Sequence, residues 1–372
     1  MITPVSCRKA ECSDLHRSGY VRGLCVQEGI SLGFRIAVME GDGVGKEVVS
    51  AAIEVISAVE RKFDIGFSFE NAPAGDELLR RDGSPFPRSS LNAIEEADAT
   101  LKGPLGWSAK DVIVRLRRDL DLFANIRPAR TLYGAVSPAK PIDLVIVREN
   151  TEDLYSEIEF DLGDGAIAMK VITRQATARI AEYAARVAMN RNKSMKVTCV
   201  HKSNVLQKTD GLFSNISRDV ISNYPAIRFE EMLVDAAAMN LIRNPQDFDV
   251  ILTSNLYGDI LSDEAAQIAG GIGFAPSANI GRDHAIFEPV HGAAFDIAGG
   301  GAANPAGMIL SAAMMLRYLG EGHGSNECMI AAAAVERAVE DALSRGVVTA
   351  DSGGTASTSD FGRYVSRSIL AQ

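Results

Sequence analysis

The sequence predicts an α/β protein in two domains, with helices layered on mixed sheets. Its 372 residues suit two domains of ordinary size. Short apolar runs at residues 34–39, 144–147, 196–200 and 248–253 have strand length and alternate with longer helical patterns. Charged residues cluster just after these runs, a usual position for an α/β site. No internal repeat is present, and the spacing lacks the even eightfold order of a barrel.

Residues 34–39 read as the first strand of the main fold and run into Glu40-Gly41-Asp42-Gly43-Val44-Gly45. Glycines there permit a tight turn and close approach of backbone to a ligand. The strand–turn–helix order resembles a nucleotide loop but lacks both the GxGxxG pattern and the P-loop lysine. A helix follows over 48–59. Another helix leads into a loop at 101–106, and a helix is expected over 109–120. The run 144–147 reads as a buried strand that ends in Arg148-Glu149-Asn150-Thr151-Glu152. Residues 156–172 mix polar turns with short alternating runs and read as a hairpin arm. A second α/β unit comprises helix 176–190, strand 196–200 and helix 206–222. Strand 248–253 and helix 260–269 come next. The stretch 275–297 is rich in Gly, Pro and Ala, while 306–319 and 328–343 read as alanine-rich helices on the outer faces of a sheet.

A formal net charge of -10 disfavours nonspecific nucleic-acid binding. In so acidic a chain, an anionic substrate requires its own arginine-lined pocket. The five cysteines, at 7, 12, 25, 199 and 328, form neither CxxC nor paired zinc spacing, which fits a reducing, cytoplasmic compartment. Cys199 reads as a buried thiol. No apolar run reaches the roughly 18 residues of a membrane span. Residues 1–33 lack a secretory apolar core and read as an atypical N-terminal extension.

The most informative stretch is Asn255-Leu256-Tyr257-Gly258-Asp259-Ile260-Leu261-Ser262-Asp263. Asp259 and Asp263 stand four positions apart at a helix start, on one face. Two converging carboxylates suit a hard cation such as Mg²⁺ or Mn²⁺. An acidic first turn favoured by the helix dipole is the other reading. Positive charge gathers at Arg115, Arg117, Arg118, Arg127 and Arg148, and arginine forks match carboxylates bidentately. Arg117, Arg127 and Arg148 form the more persuasive set. Lys202 and Tyr155 each follow a strand end and can divide base and acid roles if their surroundings shift their pKa values. His201 reads as structural. His291 has no second ligand at metal spacing, so a cofactor contact suits it better.

Several further pieces stand in one order along the chain: Asp121-Leu122-Phe123-Ala124-Asn125-Ile126-Arg127-Pro128, Arg148 through Tyr155, and His201-Lys202-Ser203-Asn204-Val205. Val234-Asp235-Ala236-Ala237-Ala238-Met239-Asn240, the Asp259/Asp263 segment and Glu288-Pro289-Val290-His291-Gly292 complete the set. Over residues 34–362 the chain thereby resembles the isocitrate/isopropylmalate family of metal-dependent β-decarboxylating dehydrogenases, most of all its archaeal isopropylmalate branch.

The resemblance implies a two-domain α/β/α fold with a non-Rossmann cofactor site. The first, cofactor-side domain would join 34–122 to 270–372. The second, 123–269, would supply the dimer interface and hairpin arm of a homodimer or dimer of dimers. By the same likeness, Arg117, Arg127 and Arg148 would hold the carboxylates of a small 2-hydroxy dicarboxylic acid. Asp259, Asp263 and the partner's Asp235 would bind Mg²⁺ or Mn²⁺. Lys202, which crosses to the partner's cleft, would take the hydroxyl proton as hydride leaves for the nicotinamide. After CO₂ departs, Tyr155 would protonate carbon. The implied activity is oxidative decarboxylation of 3-isopropylmalate in leucine biosynthesis, with homoisocitrate or isocitrate as alternative substrates. No nucleic acid or membrane partner is implied.

Cofactor choice turns on Gly292-Ala293-Ala294-Phe295-Asp296-Ile297. Family members that use NADP carry a basic residue and a tyrosine at the positions of Asp296 and Ile297. A carboxylate accepts hydrogen bonds from ribose hydroxyls and repels a 2′-phosphate, so NAD is expected. Gly292 and Ala294 belong to the same loop. Asn304 would meet the adenine, and His291 the adenosine. Substrate choice turns on Ile113 and Val114, two β-branched apolar surfaces that suit an isopropyl group better than a third carboxylate. Arg115, if turned inward, could serve that carboxylate.

Overall fold

The structure, a computed structural model, describes residues 33–133 and 141–372. The extension expected at the N-terminus, with its three cysteines, lies outside the described residues apart from Gly33, which opens the first strand.

The chain begins with β1 (Gly33–Met39), α1 (Gly45–Phe63), β2 (Gly66–Asn71), α2 (Asp76–Asp82), α3 (Arg88–Glu96) and β3 (Ala99–Lys102). A π-helical segment, Lys110–Val114, continues directly into α4 (Arg115–Asp119), and β4 (Ala124–Arg130) follows. Next come β5 (Asp143–Glu149), the two-stranded hairpin β6 (Glu159–Asp161) and β7 (Ala166–Ala168), α5 (Arg174–Arg191), β8 (Lys196–His201) and α6 (Thr209–Ile221). The segment β9 (Arg228–Leu233), α7 (Val234–Arg243), β10 (Val250–Thr253) and α8 (Asn255–Ala269) leads to β11 (Pro276–Ile280) and β12 (Ala285–Pro289). Three helices close the chain: α9 (Ala306–His323), α10 (Asn326–Ser344) and α11 (Thr358–Ala371).

Ten strands form one continuous sheet in the order β2-β1-β3-β12-β11-β4-β5-β10-β8-β9. Its two flanks are parallel, and the four central strands β12-β11-β4-β5 pair antiparallel. Every residue of β10 and β3 is buried. Helices cover both faces there, which is why β10 reads as an apolar run rather than an alternating one. Helix α1 turns Val48, Val49, Ala52, Val55, Ile56 and Val59 into the core and ends at Asp64 in the left-handed region.

Three expectations need correction. Leu101 and Lys102 belong to β3, not to a loop. The lysine broke the apolar pattern, yet it is buried because Glu288 neutralises it. Helix α8 starts at Asn255, five residues before the expected 260. Helix α11 had no counterpart in the reading. Its entry is a Ser357/Asp360 capping box, and Gly362 lets it lie close against Ala51 of α1. The strands at 34–39, 144–147 and 196–200 and the helices at 176–190, 306–319 and 328–343 fall within observed elements, and the hairpin β6–β7 lies inside the expected arm at 156–172.

Candidate active site

Strand pairing builds the site. In the central sheet Asn125 of β4 lies opposite Arg148 of β5 and opposite Asn279 of β11. Side chains two apart on a strand share a face, so Arg127 joins Asn125, and Ser277 joins Asn279. Ser277 in turn faces Glu288 of β12. A polar stripe thus crosses four strands of an otherwise apolar sheet.

All three arginines singled out in the sequence come together here, and each is buried. Arg148 donates through Nη1 to Asp259 Oδ1 at 2.5 Å and through Nε and Nη2 to Asn255 Oδ1 at 3.0 and 2.6 Å. Arg127 donates to Asn125 Oδ1 at 2.7 Å, Ser262 Oγ at 2.7 Å and Asp263 Oδ1 at 3.1 Å, and lies 3.4 Å from Asp259. Arg117 reaches Asn279 Oδ1 at 3.1 Å, with Glu288 at 3.7 Å. Burial, then the charge of Arg148, pulls the Arg117 guanidinium down to about 10 and lowers Arg127 as well. Three guanidiniums crowded around Asp259, Asp263 and Glu288 present planar donor forks that match the carboxylates of an anion.

Asp259 and Asp263 do share one face of α8, beside Arg127. Burial raises Asp259, but Arg148 and Arg127 outweigh it and hold the carboxylate below its ordinary value. Asp263 is raised, first by burial and then by repulsion from Asp259 against the pull of Arg127. Two hard oxygen ligands at this spacing fit a divalent cation, which would relieve their repulsion. Among the described residues no group of three metal-ligating side chains converges. Asp235, the third expected ligand, heads α7 elsewhere and is paired with Lys202 at 2.7 Å.

The Tyr155 hydroxyl donates to Asp259 Oδ2 at 2.5 Å, and the Arg148 guanidinium lies 5.1 Å from its ring centre. Burial, then the bond to Asp259, raises the phenol. It therefore keeps its proton at neutral pH, as a donor must. Lys202 lies in the separate Lys202–Asp235 pair, away from Tyr155's partners.

The expected cofactor residues lie on the loop after β12. Ala293 O accepts Val44 N–H at 2.9 Å, and Gly299 N–H donates to Glu47 at 2.5 Å, which seats the loop on the start of α1. A Cβ on Gly43 would collide with Ala293 O, so this turn requires glycine. Gly292, Ala294, Asp296 and Ile297 are exposed, and Ala294 takes a positive φ of 41°. His291 Nδ1 lies 3.0 Å from Gly292 O; burial and then the charge of Lys102 lower its pKa. Asn304 donates to Asp351 at 3.0 Å and accepts Ala306 N–H at 3.0 Å. An exposed loop beside a glycine turn fits a dinucleotide, and the exposed Asp296 carboxylate fits a ribose diol.

Ile113 packs into the core with Leu116 and Leu122, whereas Val114 is half-buried. Arg115 points outward and pairs with Asp119 at 3.0 Å. His201 is buried near Glu231, as a structural histidine would be. The reading missed Lys102, Asn125, Asn255, Ser262, Asn279 and Glu288. Lys102 donates to Glu288 at 2.5 Å, and Asn279 ties Glu288 to Arg117, Asn125 and Asn150. Glu288 stands in the Glu288–Gly292 motif, where nothing nearby in sequence marks Lys102 or Arg117 as its partner. Asn279 sits in a Gly/Pro/Ala stretch whose strand lacks a periodic signal.

Comparison with known proteins agrees with this geometry. A family model described as isocitrate/isopropylmalate dehydrogenase matches residues 35–365. The 3-isopropylmalate dehydrogenase of Sulfurisphaera tokodaii is 48% identical over 332 residues, covering 89% of this chain and 97% of the relative. The homoisocitrate dehydrogenase of Methanocaldococcus jannaschii is 42% identical over 345 residues, covering 88% and 95%. The crystal structure of isocitrate dehydrogenase from Methylococcus capsulatus superposes with a TM-score of 0.83 at 39% identity, covering 91% of this chain and 99% of that one.

Proposed function

Because this chain belongs to the isocitrate/isopropylmalate dehydrogenase family, we propose that it oxidises and decarboxylates 3-isopropylmalate to 4-methyl-2-oxopentanoate and CO₂ with NAD, the reaction class of leucine biosynthesis. As a dehydrogenase of this family it acts on a small hydroxy acid with a divalent metal ion and a nicotinamide cofactor. The observation that carries the finer reading is the conjunction of three buried arginines with an apolar, half-buried Val114 and an outward Arg115. The three arginines pair two carboxylates, and the outward Arg115 offers no charge to a third substituent beside Val114.

Arg117, Arg127 and Arg148 bind and orient the carboxylates, so that little of the barrier goes to positioning during reaction. Asp259 and Asp263, with the partner's Asp235, would hold Mg²⁺ or Mn²⁺, and that ion would supply charge stabilisation at the substrate oxygen. Lys202, serving the partner's cleft, would accept the hydroxyl proton, and the nicotinamide, when bound, would supply the acceptor for the C2 hydride. The C–C bond to the β-carboxylate then breaks, its electron pair stays with the organic fragment, and the Tyr155 hydroxyl returns a proton to carbon. His291, Gly292, Ala294 and Asn304 line the adenosine side. Asp296 and Ile297 favour NAD over NADP.

A homodimer is part of the proposal. The hairpin leaves Ile158, Phe160, Leu162, Ile167 and Met169 exposed, and α7 and α8 add Met239, Ile242 and Ile260. An apolar surface of this extent suits a second copy. The sheet order supports the domain division: β2, β1, β3, β12 and β11 come from 34–122 and 270–372, and the other five strands come from 123–269. A cytoplasmic location fits the two buried free thiols, Cys199 and Cys328. No helix among the described residues is long and apolar enough to cross a membrane.

The test is NADH formation by the purified protein with Mg²⁺ and each of 3-isopropylmalate, homoisocitrate, isocitrate and malate. The highest kcat/KM is expected for 3-isopropylmalate. A higher value for homoisocitrate or isocitrate overturns the substrate, while no turnover of any overturns the reading.

A further inference from the structure

Lys170 follows the hairpin and is nearly buried, although the chemistry above gives it no role. Its Nζ lies 2.7 Å from Asp210 Oδ1, 3.7 Å from Asp153 Oδ1, 3.5 Å from Ser254 Oγ and 4.2 Å from the centre of the Tyr257 ring. Both carboxylates are buried, so the ammonium is their shared counter-charge.

Each carboxylate uses its remaining capacity on backbone next to the reacting groups. Asp210 accepts the Lys202 N–H at 2.7 Å, which fixes the main chain of the expected base. Asp153 accepts the Leu154 N–H at 2.9 Å and heads the short turn Leu154–Ser156 that carries Tyr155. Through Oδ2 it also accepts the Ser254 hydroxyl at 2.8 Å and the Leu256 N–H at 3.0 Å, at the start of the helix bearing Asp259 and Asp263. Asp153 does this at a φ of 69°, a left-handed conformation that costs a non-glycine residue free energy and persists only where neighbours hold it.

We propose that Lys170 is a positioning residue that locks the Lys202 segment, the Tyr155 turn and the start of the Asp259 helix into one frame. The proposal rests on the reading of Lys202 and Tyr155 as base and acid. On that reading the two residues serve different clefts of a dimer, so one buried ammonium sets geometry in both. The arginine set lies outside its contacts, which separates positioning of the reacting groups from binding of the substrate.

The experiment combines amide hydrogen exchange with steady-state kinetics on the whole protein. Lys170→Met is expected to speed exchange at both Lys202 and Leu256. It should lower kcat by about 10- to 100-fold, the usual cost of a small misplacement, and leave KM for the hydroxy acid within about 2-fold. Oxidation of the hydroxy acid and decarboxylation of added 2-oxo intermediate should both slow. Asp210→Asn should speed exchange at Lys202 but not Leu256 and slow the oxidation step alone. Lys170→Arg keeps the charge and should recover part of the kcat. It also carries the test if the methionine variant does not fold. Unchanged exchange at both amides, or a lower melting temperature with kcat intact, overturns the proposal. If the unmutated protein does not turn over 3-isopropylmalate, the substrate reading fails, while the two amides still decide whether Lys170 holds this frame.

Discussion

The Tyr155 hydroxyl and the Asp259 carboxylate meet at 2.5 Å, on the oxygen that Arg148 leaves free. The phenol is raised by burial and by this bond, while Asp259 is held low by Arg148 and Arg127 despite its burial. The two groups therefore stay in opposite protonation states across the neutral range. Tyr155 is kept a proton donor by burial and by its bond to Asp259, against the pull of Arg148, while Asp259 is kept an anion by Arg148 and Arg127.

Tyr155→Phe keeps the ring and removes the donor. It should slow decarboxylation and carbon protonation by about 10²- to 10⁴-fold, the usual range for a general acid. Hydride transfer should be far less affected. Lys202→Met should do the reverse. Rapid quenching with measurement of the 2-oxo intermediate separates the steps: it accumulates in the tyrosine variant and stays absent in the lysine variant. Both variants stalling at one step would contradict this division of labour.

Asp259→Asn leaves Arg148 buried beside a neutral oxygen and removes one of two adjacent carboxylates. Activity should fall by at least about 100-fold, and excess chelator should abolish turnover of the unmutated protein. A second readout is thermal: saturating Mg²⁺ at about 100 times its dissociation constant stabilises the native state by about 2.7 kcal/mol. That rise in melting temperature should shrink in Asp259→Asn and in Asp263→Asn. Full turnover in chelator contradicts the assignment.

The parts of this site legible in the sequence were those whose chemistry cannot be satisfied locally. Arg117, Arg127 and Arg148 stood out because arginines after strand ends and near a loop of an acidic chain suit a polyanionic acid, and Asp259 and Asp263 because helical spacing converges them. Neutral and self-compensating groups were not legible. Asn279 and Asn125 carry no charge to flag them, and their convergence depends on β11 pairing with β4 across some 150 residues of chain. Lys102 looked like a loop lysine because its partner Glu288 arrives from 186 residues away. The start of α8 was misplaced because Asn255 and Ser254, which read as turn residues, are occupied by Arg148 and Asp153.

NAD should exceed NADP in kcat/KM by at least about tenfold, the equivalent of about 1.4 kcal/mol. The exposed Asp296 carboxylate meets a 2′-phosphate of about -1.5 to -2 charge with repulsion. Asp296→Lys with Ile297→Tyr should shift preference toward NADP by removing that repulsion and adding partners. Asp296→Ala alone should weaken NAD more than it helps NADP. Equal use of both cofactors by the unmutated protein is the contrary result.

Glu288 predicts an acid limit to stability. Burial pushes its carboxyl up, but Lys102 and Arg117 outweigh burial and hold it at about 2. An unfolded glutamate titrates near about 4.3. Its folded value being lower, the contribution is full above about 4.3 and is lost as pH falls toward about 2. Glu288→Gln strands the buried Lys102 ammonium and should cost about 3–5 kcal/mol near neutrality. Urea midpoints should differ by a constant amount from about pH 7 to 5 and converge below about pH 4. A gap that widens on acidification would contradict the pairing.

Val114 is the sharper test of substrate choice. Ile113 is only 8% exposed and packs with Leu116, so shortening it to alanine would cost about 2–5 kcal/mol of stability and blur any effect on the substrate. Val114 is half-buried three residues before Arg117, in the segment that runs into the helix bearing it. Burying the three carbons of an isopropyl group contributes at most about 2.4 kcal/mol, at roughly 0.8 per carbon. That corresponds to a preference of some tens-fold in kcat/KM. Val114→Arg should remove that preference and raise turnover of homoisocitrate, whose extra carboxylate gains a cation at this position. Arg115, already paired with Asp119 on the outer side, should be replaceable by alanine with kcat/KM for 3-isopropylmalate unchanged within about twofold, since exposed pairs contribute little. If Arg115→Ala instead lowered turnover of a tricarboxylic substrate that the unmutated protein prefers, the arginine would have to swing inward on binding. The preference would then belong to homoisocitrate or isocitrate, while the metal ligands, the acid and the base would keep their assignments.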